Sequence, residues 1–196
     1  MMEQQAVIDF FDRAAAGWDA QLVRNEAVIG KILDNAGLRP GVSVLDVACG
    51  TGVLIPDYLR RGAAQVTAID IAPEMARIAR GKFPQENVTV LCGDAAQTRF
   101  ETPFDCIVIY NAFPHFPEPE RLIAHLAGLL TLGGTLTVAH GFSRRALDAH
   151  HEKTARSVSN GMLPVEALAG LFAKHLTVMV QISDDEMYQV AGQRRS

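Results

Sequence analysis

The sequence predicts an α/β fold: a mostly parallel sheet covered by helices and closed by an antiparallel strand. Three observations carry this. From residue 42 onward, short β-branched runs alternate with helical stretches, the pattern of strand–helix–strand units. The run Phe104 to Tyr110 is nearly all apolar, as a central strand covered on both faces must be. The last two strands are joined only by Ser183-Asp184-Asp185, too short for a crossover helix, so they pair antiparallel.

Two amphipathic helices precede the sheet, Glu3 to Ala15 and Gln21 to Ala36, the second stopped by Gly37. The first strand is Val42 to Val47. The turn Cys49-Gly50-Thr51-Gly52 follows, then a helix from Val53 to Arg61 with Pro56 in its first turn and Gly62 as its stop. Gln65 to Asp70 is the second strand. Its helix opens at Pro73, a favoured first residue, and ends near Gly81. Val88 to Cys92 and Phe104 to Tyr110 are the third and fourth strands. A proline-rich loop, Phe113 to Pro117, leads into a helix whose Leu122, Ile123, Leu126, Leu129 and Leu130 follow the helical period. Gly133-Gly134 turns the chain into a fifth strand, Thr135 to His140. Helices follow at Ser143 to Arg156 and Pro164 to Ala173, then strands at His175 to Ile182 and Glu186 to Ala191.

Composition bounds the function. The chain has 196 residues, 48% apolar and 20% charged, which fits one globular domain. A net charge of −4 supplies no general attraction for nucleic acid or anionic lipid. No apolar run is long enough for a membrane span, and Met1-Met2-Glu3-Gln4-Gln5 lacks a signal-peptide pattern. Cys49, Cys92 and Cys106 form no CxxC and cannot all pair, so a reduced, cytoplasmic compartment is expected.

The strongest chemical signal is Val44-Leu45-Asp46-Val47-Ala48-Cys49-Gly50-Thr51-Gly52. A strand that runs into small residues and then a helix lets a ligand approach the backbone and meet free helix N–H groups. Asp70, ending the second strand, can accept both hydroxyls of a ribose lying across the strand tips. Asp94, after the third strand, can accept from an adenine amino group. Three carboxylates at three neighbouring strand ends suit an adenosine ligand without phosphate. A dinucleotide site competes with this reading, but its GxGxxG fingerprint would need glycine where Ile55 stands, and Asp46 sits close to where a pyrophosphate would lie. A bare tight turn is the third reading of Gly50 and Gly52.

These motifs resemble the class I S-adenosylmethionine-dependent methyltransferases along nearly the whole chain. Residues 44–53, 66–75, 91–95, 104–111 and 129–140 look like the family's successive motifs. The opening Phe10-Phe11-Asp12-Arg13-Ala14-Ala15-Ala16-Gly17-Trp18-Asp19 is similar to the lid of small-molecule members such as the quinone-biosynthesis methyltransferases. The resemblance implies one domain, residues 1–37 as helical lid and 38–196 as Rossmann-like doubly wound core. It implies a seven-stranded sheet of order 3-2-1-4-5-7-6 with strand 7 antiparallel. S-adenosylmethionine would be the donor and S-adenosylhomocysteine the product. Asp46 and the turn Ala48, Cys49, Gly50 and Gly52 would hold the methionine part. Asp70 would take the ribose, Ile71 and Met75 the adenine faces, Asp94 and Ala95 the adenine edge. Asn111 would lie near the sulfonium. Ala48 replaces the more usual first glycine, and Ala72 replaces a frequent serine cap worth about 1 kcal/mol.

The acceptor is expected to be a small molecule. Tyr110-Asn111-Ala112-Phe113-Pro114 lacks the Pro-Pro-aromatic signature of amino-methylating nucleic-acid enzymes. Histidines cluster by position: His115 after strand four, His140 ending strand five, His150 and His151 on the next helix. His115 and His140 are the candidate catalytic residues, as general bases titrating near neutral pH. Binding of a metal by His115, His140 and His150, or plain packing, stay open beside that role. Trp18 and Phe11 either line the substrate cavity or simply pack. Cys49 reads as a small turn residue rather than a nucleophile. Arg144-Arg145 either grip an anionic acceptor or are solvated. A non-catalytic binder of the donor or its product, an NAD(P)-dependent oxidoreductase, and a homodimer remain alternatives.

Overall fold

The computed structural model describes residues 3–143 and 158–195. Its strands are β1 (Ser43–Val47), β2 (Gln65–Asp70), β3 (Val88–Cys92), β4 (Phe104–Tyr110), β5 (Leu130–His140), β6 (Thr177–Ser183) and β7 (Tyr188–Gln193). They form one seven-stranded sheet of order β3-β2-β1-β4-β5-β7-β6. The pairs β3-β2, β2-β1, β1-β4 and β4-β5 are parallel. β7 runs antiparallel to both β5 and β6. The α/β class, the strand order and the antiparallel hairpin are as expected.

Its helices are α1 (Gln4–Ala15), α2 (Trp18–Gln21), α3 (Glu26–Asn35), α4 (Ile55–Arg60), α5 (Pro73–Lys82), α6 (Pro119–Gly128) and α7 (Val165–Ala173). Alternation along the central strands divides the core in two. Leu45, Ile107 and Ile109 point toward Leu122, Ile123 and Leu126 of α6 and Leu168 and Phe172 of α7. Val44, Cys106 and Val108 point the other way, toward Ile29 and Leu33 of α3, Tyr58 of α4 and Ala76 of α5. Each fully buried Leu or Ile stabilises by about 1.5–3 kcal/mol, so both faces hold their helices firmly. The strand order reverses between β1 and β4. The C-terminal ends of those strands therefore open onto the crevice where doubly wound folds bind ligands.

The second N-terminal helix differs from expectation. Instead of running from Gln21 it breaks into α2 and α3 around residues 22–25. Asn25 caps α3, its Oδ1 accepting the Val28 N–H at 3.2 Å. Arg24 leaves the helical path to donate to the Val53 carbonyl at 2.6 Å and to Asp57 at 2.9 Å. β5 also begins earlier than Thr135. Leu130 pairs with Phe104, and the register shifts before Cys106 meets Thr135. The glycine pair lies inside that shift, with Gly133 at φ +76°. The helix expected between Ser143 and Arg156 falls on residues 144–157, outside the described residues.

Candidate functional site

The chain leaves β1 through a turn built on left-handed backbone. Ala48 (φ 56°), Gly50 (φ 56°) and Gly52 (φ 84°) all lie there. Glycine adopts this conformation at no steric cost, whereas Ala48 is strained, a cost of order 1–3 kcal/mol typical of functional turns. At Gly52 a Cβ would also sit 2.5 Å from Cε2 of Phe83. The turn is thus compressed from behind and open in front.

Asp70 stitches this turn to β2. Its Oδ2 accepts the Gly50 N–H at 2.8 Å and its Oδ1 the Ala72 N–H at 2.9 Å. Each oxygen keeps lone-pair capacity for a second donor. Burial raises the Asp70 carboxyl above its ordinary value, opposed by these backbone donors. Asp46, on β1, is buried more completely. Its Oδ2 and the neighbouring Tyr58 hydroxyl are both without a hydrogen bond of good geometry among the described residues. Burial pushes the Asp46 carboxyl up to about 8, with the Tyr58 hydroxyl pulling the other way and the charges of Asp70 and Asp57 adding to the rise. Asp94 is the most engaged of the three. Its Oδ1 accepts the Ala96 N–H at 2.9 Å, and its Oδ2 accepts the side-chain amides of Gln97 at 2.7 Å and Gln4 at 2.8 Å.

A cavity of about 620 Å³ joins these groups. Asp46, Asp70 and Asp94 line it, as do Ala48, Cys49 and Gly50 of the turn. Ile71, Met75 and Ala95 form a further part of its wall. Asn111 lines it at the end of β4, held at φ 55° while its Oδ1 accepts the Gly141 N–H at 2.9 Å. Burial pushes the Cys49 thiol well up, which suits a packing residue rather than a nucleophile. Gly52 is not among the lining residues; it supports the turn against Phe83.

The two candidate histidines part company. His115 lines the cavity, with Nδ1 2.6 Å from the Val158 carbonyl and its ring edge-to-face on Phe11 at 5.0 Å. A carbonyl only accepts, so Nδ1 carries the proton in the neutral ring and Nε2 bears the lone pair. His140 is a correction. It is fully buried, paired in the ladder with Tyr188 and packed on that ring at 6.2 Å, and it does not line the cavity. β5 is an interior strand, and its last residue is covered by the β7 partner. His150, His151, Arg144 and Arg145 lie outside the described residues.

The N-terminal helices form the roof. Phe11 and Trp18 line the cavity and pack on each other at 5.7 Å. Asp12 Oδ1 accepts the Glu74 N–H at the start of α5, at 2.9 Å. Asp19 accepts from the Thr51 hydroxyl and, at 2.7 Å, from the Lys82 ammonium. Sequence reasoning missed Gln4, Glu118 and Arg121 as lining residues. The Gln4–Asp94 contact spans 90 positions and leaves no local trace.

A family profile described as a methyltransferase domain matches residues 44–134, the segment that holds the glycine turn, Asp70 and Asp94. That segment is thus similar to a methyltransferase domain. It is similar to the ubiquinone biosynthesis O-methyltransferase of Xanthomonas campestris pv. campestris (strain B100), 41% identical over 101 residues, 50% of this chain and 42% of that one. It is 30% identical over 139 residues to the malonyl-[acyl-carrier protein] O-methyltransferase of Acetivibrio thermocellus, 69% of this chain and 49% of that one. The chain therefore spans about half the length of the curated relatives it matches. Its methyltransferase fold is similar to the magnesium protoporphyrin IX methyltransferase of Synechocystis PCC 6803 with bound S-adenosylhomocysteine. The TM-score is 0.71 at 19% identity, covering 99% of this chain and 100% of that one. Among the described residues no helix is long and apolar enough to cross a membrane.

Proposed function

We propose that this chain transfers a methyl group from S-adenosylmethionine to an oxygen of a small-molecule acceptor by in-line displacement. The observation that carries the reading is that the three strand-tip carboxylates and His115 open into one cavity. The two relatives named above are both O-methyltransferases, which favours oxygen as the accepting atom.

The residues fit the donor. Asp46 offers a buried carboxylate oxygen with no partner among the described residues, suited to an ammonium group. The turn from Ala48 to Gly52 receives the rest of the methionine part. Asp70 has lone pairs left for the two ribose hydroxyls, and Ile71 and Met75 offer apolar surface to the adenine. Asp94 and Ala95 take the adenine edge, where Gln4 or Gln97 yields one acceptor position on Asp94. Asn111 stands at the sulfonium end. The bound donor supplies an electrophilic methyl on a leaving group that is already good. The protein's task is then alignment and exclusion of water, and alignment of this kind contributes on the order of 7–11 kcal/mol at best. Residues 1–37 act as the lid that excludes water from a single methyltransferase domain continuing through 38–196. Nε2 of His115 receives the acceptor's proton while the Val158 carbonyl fixes the tautomer. The unpaired cysteines fit a reduced, cytoplasmic setting.

Calorimetry with S-adenosylmethionine, its demethylated product and NAD tests the donor. Binding of the first two and not the third is expected; binding of NAD alone overturns the reading. Transfer of labelled methyl from the donor to a library of small hydroxyl and carboxyl compounds then tests catalysis. A chain that binds donor and methylates no acceptor of any class is a sensor rather than an enzyme.

A further inference from the structure

We propose that Trp18, carried by the lid, donates its indole N–H to the carboxylate of the donor's methionine part, so that the lid itself reads the amino-acid end of the ligand. The inference rests on the donor assignment made above and adds a residue to it.

Three features of the structure lead here. Trp18 lines the cavity, and its Nε1 lies 3.8 Å from where a Cβ on Gly50 would be. The ring nitrogen therefore faces the space that the glycine leaves open, directly over the turn. Second, the indole N–H makes no hydrogen bond among the described residues, although a cavity-lining indole ordinarily finds an acceptor. The carboxylates beside the turn already accept other donors. Asp70 Oδ2 takes the Gly50 N–H, and Asp19 takes Thr51 and Lys82. Third, the indole is held in place. The adjacent Asp19 is tied to Thr51 in the same turn and to Lys82 on α5, and Phe11 packs edge-on against the ring at 5.7 Å. Trp18 cannot drift without breaking those contacts.

The chemistry then selects the partner. An indole nitrogen donates and cannot accept, so it has no use for an ammonium group and suits a carboxylate. Asp46, when ionised, has the opposite character. Both groups line one cavity, so the cation and the anion of the zwitterion each meet a complementary partner, one from the sheet and one from the lid. The lid would then tighten on a ligand with an intact amino-acid end and be indifferent to one without it.

The test compares two ligands on two proteins. S-adenosylhomocysteine carries the carboxylate, and 5′-methylthioadenosine lacks the whole amino-acid end. Trp18→Phe keeps an aromatic ring against Phe11 and removes the N–H together with part of the ring surface, and 5′-methylthioadenosine reports the effect of that lost surface. By calorimetry, Trp18→Phe is expected to weaken S-adenosylhomocysteine roughly tenfold, the loss of a hydrogen bond to a charged group, and to change 5′-methylthioadenosine less than twofold. Equal weakening of both ligands, or of neither, overturns the proposal. Trp18 is the sole tryptophan of the chain, which gives a second measurement on the unaltered protein. Saturating S-adenosylhomocysteine should change its emission clearly more than saturating 5′-methylthioadenosine does. Identical emission changes with both ligands also overturn it. If the unaltered protein binds neither compound, the donor assignment fails instead, so the two failures are distinct.

Discussion

Asp46 makes the stability of the free protein fall as the solution becomes more alkaline. Its carboxyl is raised by burial to about 8 from an ordinary 3.8, so between these values the folded chain holds a proton that the unfolded chain has lost. The contribution is fully present below the unfolded value and is lost as pH rises through the folded one. With a folded value near 8, the loss between pH 6 and pH 8 is about 2 kcal/mol. For a chain of this size that is roughly 4–8 °C in melting temperature. Asp46→Asn carries no proton to lose. Titrating groups distant from Asp46 act equally on both proteins, so the difference between them reports Asp46 and the groups coupled to it. Melting curves of the ligand-free proteins at pH 6, 7 and 8 are the assay. The unaltered protein should lose about 2 kcal/mol relative to Asp46→Asn across this range. Parallel pH profiles would refute the reasoning. The same proton should leave when the donor's ammonium arrives. Calorimetry at pH 7 in two buffers of different ionisation heat should then show release of nearly one proton by the unaltered protein and none by Asp46→Asn.

Four further outcomes are expected. Asp70→Ala should weaken donor binding by roughly 1–3 kcal/mol, read by calorimetry, because the ribose hydroxyls lose a charged acceptor. His115→Gln should lower turnover by about 10²–10⁴ while the donor dissociation constant stays within about twofold; unchanged turnover removes the base. Gly52→Ala should cost roughly 2–6 kcal/mol in urea unfolding, since it combines left-handed backbone with a Cβ 2.5 Å from Phe83. Arg24→Ala should cost roughly 1–3 kcal/mol, because it removes the donor to the Val53 carbonyl and leaves the buried Asp57 with Arg60 alone. Arg24→Lys should restore only part of that, since an ammonium cannot serve both acceptors in the same planar geometry.

What the sequence discloses is what local pattern controls. β2, β3 and β4 stand where β-branched runs put them, residue for residue. The carboxylates of Asp46, Asp70 and Asp94 are legible because parallel strands end together on one side of the sheet, so strand ends in sequence become neighbours in space. The break before α3 left a signal that periodicity overrode: Asn25 is a good cap, and the apolar residues on either side of it hid the interruption. His140 shows the limit of the strand-end rule. That rule gives the edge of the sheet a residue reaches, but not whether a neighbouring strand covers it. β7 arrives from the far end of the chain and seals His140 behind Tyr188. Gln4 on Asp94 and Trp18 over Gly50 are lid contacts made across the whole domain, and no window of sequence contains both partners.

The charges of the cavity argue independently for a cationic ligand. Among the described residues, its lining has the carboxylates of Asp46, Asp70, Asp94 and Glu118 against one guanidinium, Arg121, which pairs with Glu118 at 3.1 Å. Asp46 and Asp70 are both raised by burial, and Asp70 adds to the rise at Asp46. Such a site resists ionisation on its own, and each added negative charge makes it worse. A diphosphate placed against the Gly50 turn would add two charges beside two buried carboxyls that already resist ionisation. The Gly50 N–H, which faces that position, is already given to Asp70. A ligand bearing a sulfonium and an ammonium does the reverse: it restores favourable ionisation to Asp46 and offsets the repulsion between the carboxylates. The glycine turn alone fits either ligand; the acidic residues around it separate the two, and they do so by charge before any contact with the adenosine is considered.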